Sequence, residues 1–152
     1  MGLTPLKMID IPPVWLLGFA VLLWWADALM PMATGSGVVV ALGTGLVTAG
    51  CVLIGVAALQ FWQHKTTIIP HLEAASLITT GVFARSRNPI YLADAIILAG
   101  LALRWDFAPG LLLVPVFMWL IQARFIHAEE ARLRAAFGEA FTQYAEKTRR
   151  WL

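Results

Sequence analysis

The residues best suited to chemistry lie in two polar stretches of an otherwise apolar chain. The first runs Thr79-Thr-Gly-Val-Phe-Ala-Arg-Ser-Arg-Asn-Pro-Ile-Tyr91. Gly81 permits a tight bend, and Arg85 and Arg87 carry two fixed positive charges. Asn88 followed by Pro89 reads as a helix start. Asn is a favoured N-cap, and Pro suits the first helical position because its missing N–H has no partner there anyway. A helix N-terminus beside two arginines is a ready anion site. The same arginines equally suit the cytoplasmic edge of a membrane span. The second stretch holds the adjacent acids Glu129 and Glu130. On local evidence Glu130 and Arg134, four apart, read as an ordinary ion pair on a helix surface.

The elements that must position these groups are set by composition. Of 152 residues 60% are hydrophobic and only 13% are charged, against about 25% in soluble domains. Mean hydropathy is +0.77. This is the composition of an integral membrane protein, all-α and polytopic. A net charge of +2 comes from lysines and arginines gathered in loops and tail. That pattern suits an anionic cytoplasmic leaflet and gives no reason to invoke nucleic acid.

Four transmembrane helices are expected, at about 14–30, 38–62, 89–104 and 107–126. Lys7 ahead of the first reads as the flank of an uncleaved anchor, since the run is long and Trp-rich with a weak cleavage site. Asp27 falls near its outer end, where a solvated carboxylate is the simpler reading. In the second, Ala41, Gly45 and Ala49 recur every fourth residue, with Gly50 and Gly55 close by, and predict a face for close helix packing. Gly43-Thr-Gly45 lies inside this span with no strand before it, so it is no dinucleotide loop. Cys51 reads as a small buried hydrophobe. Asp94 sits three residues beyond Tyr91, on the same helical face and about one turn inside the membrane.

A cytoplasmic loop over 63–88 includes a short amphipathic piece, His71 to Ile78. A cytoplasmic tail over 127–152 carries Leu133, Phe137, Phe141 and Tyr144 as one face of an amphipathic helix, bent at Gly138. His64, His71 and His127 lack tight metal-ligand spacing, and no metal site is expected. Lys65, Arg85 and Arg87 precede the third span, and six lysines and arginines from Arg124 to Arg150 close or follow the fourth. Apart from Arg104 the opposite loops hold none. The positive-inside rule then puts both termini in the cytoplasm of a multi-pass protein of the cell's inner membrane.

The runs Thr66-Thr-Ile-Ile-Pro70, Leu77-Ile-Thr-Thr-Gly-Val-Phe83 and Ser86-Arg-Asn-Pro-Ile-Tyr-Leu92 resemble the isoprenylcysteine carboxyl methyltransferase family and its phospholipid N-methyltransferase relatives. Glu129-Glu-Ala-Arg-Leu133, Phe137-Gly-Glu139, Tyr144 and Arg150-Trp-Leu152 are similar to the family's tail. The resemblance covers roughly Gln60 to the C-terminus. It implies an S-adenosylmethionine site at the cytoplasmic surface, built from Gly81, Phe83, Arg87, Asn88, Pro89, Tyr91, Leu92, Glu129 and Glu130. Arg87 and the N–H groups opening the third helix are then expected to hold the cofactor's carboxylate. A glutamate of the pair would meet its ammonium or ribose hydroxyls. Glu130 and Arg124 are the expected catalytic residues: an amine or hydroxyl acceptor would need a base, for which Glu130 and Asp94 are the local candidates, and Arg124 would position an anionic acceptor group. Phe141 departs from the tyrosine common in the family's tail, and Asp94 from a small or apolar residue.

The implied function is methyl transfer to a lipophilic or lipid-anchored acceptor, in the manner of isoprenylcysteine carboxyl methyltransferases, or to a phospholipid amine. The partners are the bilayer and that acceptor. Two other classes compete: an NADPH-dependent membrane reductase, with Arg85, Arg87, Arg149 and Arg150 for the extra phosphate, and a non-catalytic membrane subunit or transporter. No internal inverted repeat favours a transporter.

Overall fold

The computed structural model describes residues 10–65 and 76–152. Lys7, the run Thr66 to Pro70 and most of the amphipathic piece expected from His71 lie outside them. The described chain is helical, with no strand among the described residues. Helix α1 spans Pro12–Leu29 and α2 spans Gly37–Gln63. Pro12 opens α1, and Ser36 caps α2 by accepting from the Val39 N–H. A 3-10 turn, Gly81–Ala84, precedes α3, Pro89–Arg104. A second 3-10 turn, Ala108–Leu112, leads into α4, Leu113–Ile121, then a π turn, Gln122–Ile126, and α5, His127–Phe137. Helix α6, Glu139–Lys147, ends the regular structure.

Among the described residues, three helical segments are long and apolar enough to cross a membrane: Pro12–Leu29, Gly37–Gln63 and the continuous Ala108–Phe137. The third expected span appears as α3, but its 16 residues reach only about 24 Å. The helix that carries the fourth does not stop at residue 126. The π turn carries the helix without a break into the tail, because nothing there interrupts backbone hydrogen bonding; the His127 N–H simply bonds to Gln122 O, five residues back. The break comes at Gly138, whose φ of +53° is a left-handed geometry that favours glycine. The four-residue stripe is therefore not one helix face. Phe141 and Tyr144 are buried on α6, while Leu133 and Phe137 are half-buried on α5.

Helix α3 packs most extensively on α2. The expected packing stripe is corrected: Ala41, Gly45 and Ala49 face outward, and Gly43, Gly50 and Ala57 are buried. Seven-residue spacing keeps one face toward a nearly aligned partner better than four-residue spacing does. A Cβ on Gly43 would meet Gly100 O at 2.6 Å, and one on Gly100 would meet Gly43 O at 2.8 Å. The backbones thus touch where both side chains are absent. Cys51, expected inside, also lies on the outward side of α2. The main core gathers Leu23, Leu98, Ala102, Phe107, Phe117, Ile121 and Ile126 from α1, α3 and the α4 segment.

The two ends of the bundle are held by polar ties. At one, Asp106 accepts from Thr34 Oγ1 and from the Gly35 N–H, both at 2.6 Å, joining the α1–α2 and α3–α4 connections. At the other, the segment from Gly81 to Asn88 meets the tail.

Candidate active site

Gly81 adopts a φ of +60° against the side chain of Gln60. Gln60 bridges this turn to α2, donating to Thr80 O at 3.2 Å and accepting from the Val82 N–H at 3.1 Å. Phe83 is buried edge-to-face against Phe61, with ring centroids 5.2 Å apart. Its carbonyl accepts from the Tyr144 hydroxyl at 2.6 Å. The tail hydroxyl that Phe141 cannot supply is thus supplied one turn later. Burial pushes the Tyr144 phenol up to about 12, although nearby Arg87 opposes the shift, so this hydroxyl stays a donor at neutral pH.

Arg87 stands at the centre. Its Nη1 donates to Ala145 O and Thr148 O, both at 2.7 Å, and its Nη2 to Glu130 Oε1 at 2.9 Å. Its own N–H donates to Arg149 O at 3.0 Å. Arg150 grips the same carboxylate, Nε to Oε1 at 2.9 Å and Nη2 to Oε2 at 2.8 Å. Two guanidiniums therefore share one carboxylate and leave an excess positive charge. The bond to Glu130 draws the Arg150 guanidinium to a still higher pKa, more than burial lowers it. Arg87 Nε is buried with no partner among the described residues, an uncommon state for a charged donor.

Asn88 occupies the position before α3, yet its side chain does not cap the helix. It donates instead to Arg150 O at 3.0 Å. The tail's carbonyls outcompete the helix because they approach from across the fold. Pro89, buried, opens α3 as expected, and Leu92 is half-buried. One turn into α3, the Tyr91 hydroxyl donates to Glu129 Oε2 at 2.8 Å. Arg87, Asn88 and Glu130 are therefore linked directly or through Arg150, and Tyr91 and Glu129 form a second pair, with Glu129 next to Glu130 in the chain. Glu130 forgoes the local pair with Arg134, whose guanidinium lies 5.8 Å from the Phe141 ring.

Arg124 is not among them. It donates from Nε to Asp10 at 2.8 and 3.1 Å and sits 5.4 Å from the Trp15 ring. It ties the start of α1 to the π turn. Sequence reasoning missed Arg150 and Gln60 as partners. Arg150 stood in a recognisable terminal motif, and only its distance in sequence from Glu130 hid the pairing.

The donor set fits an amino-acid-bearing nucleoside cofactor: two guanidiniums on one carboxylate and a buried Arg87 N–H, unpartnered among the described residues, for a carboxylate, with Glu129 as acceptor for an ammonium or hydroxyls.

Fold and site together define an all-helical membrane protein with an ion-paired polar site at one end of the bundle. The sequence profile of the phospholipid methyltransferase family matches residues 36–140, more than half of the chain, and the chain belongs to that family. The family is related to the isoprenylcysteine carboxyl methyltransferases that the motifs resemble. A search of curated proteins found no match. The match covers α2 through the opening of α6 and includes Arg87, Tyr91, Glu129 and Glu130.

Proposed function

We propose that the chain is an S-adenosylmethionine-dependent methyltransferase acting at the cytoplasmic membrane face on a lipophilic or lipid acceptor. The observation that carries this reading is the Arg87–Glu130–Arg150 cluster, set where α3, α5 and the tail meet within a methyltransferase family. An acceptor of the isoprenylcysteine carboxylate type and a phospholipid amine both suit such a site, and the family's description favours the amine.

S-Adenosylmethionine, when bound, supplies a methyl group on an electrophilic sulfonium. Arg87 and Arg150 hold its carboxylate through charge that Glu130 only half neutralises, aided by the N–H groups opening α3. Glu129, oriented by Tyr91, accepts from its ammonium or ribose hydroxyls. The tail, tied down by Arg87, Asn88 and Tyr144, shields the site from water. A carboxylate acceptor needs no proton removed, whereas an amine needs a base, with Glu130 and Asp94 the nearby carboxylates. Arg124, occupied by Asp10, could position an anionic acceptor only after releasing that partner.

In the membrane, the chain crosses four times, α3 being the short third crossing and Ala108 to Ile126 the fourth. A bilayer core of about 30 Å exceeds the reach of α3, so the bilayer has to thin locally to bring headgroups to Asn88 and Trp105. Lys65, Arg85 and Arg87 put the site and both termini on the cytoplasmic side of the inner membrane.

Calorimetry in detergent tests the cofactor. S-Adenosylhomocysteine binding without comparable NADPH binding is expected, and the reverse would sink this reading in favour of a reductase.

A further inference from the structure

Asp94 is the one charged residue in the interior of α3, and neither the cofactor-binding groups nor the ties at the two ends of the bundle use it. It is 3% exposed, and its Oδ2 has no hydrogen-bond partner among the described residues. It lies five residues beyond Pro89, about 7 Å deeper along the helix axis. On the helix it falls between Tyr91 and Leu98, both buried, so it turns inward and not toward lipid. The hydroxyl of Tyr91, one turn above, is held by Glu129 at 2.8 Å. Glu129 thus meets the Tyr91 hydroxyl, and Asp94 lies three residues beyond Tyr91 along the same helix.

A carboxylate buried without a donor is costly to fold, and an acid inside a membrane span marks function. What the orphaned oxygen lacks is an N–H or O–H donor. A primary ammonium offers three, a trimethylammonium none, and a carboxylate acceptor would bring like charge.

The geometry points to Asp94 as the residue that selects the methyl acceptor: it receives the amine head group of a lipid and takes the proton that N-methylation requires the amine to lose. This rests on the methyltransferase reading above. The ammonium gives a proton to Asp94 Oδ2, leaving a neutral amine with a lone pair. The N–C bond forms as the C–S bond of the sulfonium methyl donor breaks, and sulfur keeps that bond's electron pair. The product is a methylated ammonium and a neutral thioether, so charge and atoms balance.

The test uses the full chain in detergent without any methyl donor. Binding of lysophosphatidylethanolamine and lysophosphatidylcholine is followed by tryptophan fluorescence in the parent, Asp94→Asn and Asp94→Glu. The parent should prefer the primary amine by tenfold or more. Asp94→Asn should reduce that preference to about twofold, and Asp94→Glu should keep most of it. Melting temperature and S-adenosylhomocysteine binding serve as controls. Asn is isosteric and removes an unpaired charge, so Asp94→Asn should melt no lower than the parent. An undiminished amine preference in Asp94→Asn, with S-adenosylhomocysteine still bound, overturns this assignment alone. A parent that binds no S-adenosylhomocysteine overturns the methyltransferase reading and this assignment with it.

Discussion

Arg87 Nη2 lies 2.9 Å from Glu130 Oε1, although the residues are 43 positions apart in the chain. The same guanidinium also holds two carbonyls of the tail. Arg87 therefore both shapes the site and carries charge within it. Arg87→Ala should lose a charge-assisted contact of about 1.5–3 kcal/mol, roughly ten- to hundredfold in S-adenosylhomocysteine affinity, and should lower the melting temperature. Arg87→Lys should not rescue it, because an ammonium lacks the planar fork that reaches three acceptors at once. Glu130→Gln should weaken binding too, while Glu139→Gln, exposed on α6, should change little. Parent-like binding by both Arg87→Ala and Glu130→Gln would reduce these residues to surface charge.

The close approach of α2 and α3 gives a prediction with an internal control. Gly43→Ala must push against Gly100 O, whereas a Cβ at Gly45 meets nothing within 4 Å. Overpacking of this kind typically costs about 1–3 kcal/mol. Gly45→Ala should be neutral or gain up to about 1 kcal/mol of helix stability. Thermal melts in one detergent would separate the two, and equal effects would mean that the helices do not touch there.

Acid should loosen the opposite end of the bundle. The Thr34 hydroxyl, with the Gly35 N–H in support, holds the Asp106 carboxyl below the usual carboxylate range against the opposing effect of burial. A lowered folded pKa adds stability above the unfolded value near ~4 and loses it as pH falls through the folded value. Asp106→Asn should melt below the parent at neutral pH, and the two curves should converge in acid. A constant gap across the acid range would mean that the Asp106 charge is not what holds the two connections.

Cysteines at Ser36 and Ala84, in a Cys51→Ala background, report the arrangement in the membrane. They should label from opposite sides, Ala84 from the cytoplasm. Labelling of both from one side would exclude four crossings with this orientation.

The helices and the island of Arg87, Asn88 and Tyr91 were legible in the sequence because composition and local motif carry them. Their partners were less so. A period of four in Ala41, Gly45 and Ala49 looks as good as a period of seven in Gly43, Gly50 and Ala57, and only the direction of α3 decides between them. Glu130 had a plausible neighbour in Arg134, yet Arg87 and Arg150 reach it from distant parts of the chain. Asn88 has the right type for a cap, but Arg150 O competes for its amide. Local chemistry proposes pairs, and tertiary geometry chooses among them.

The π turn at Gln122–Ile126 changes the phase of the long helix that contains it. A helix turns about 100° per residue, so a five-residue turn shifts everything downstream relative to everything upstream. Above it, Phe117 and Ile121 serve the core; within it, the adjacent Phe125 and Ile126 both do; below it, the inward direction passes to Glu130. Deleting a single residue from this turn would restore an even pitch and swing the acidic pair away from Arg87 and Tyr91, with the apolar half left undisturbed. The segment works as a gear between two registers, so its length constrains the chain alongside the core side chains of Phe125 and Ile126 that it carries.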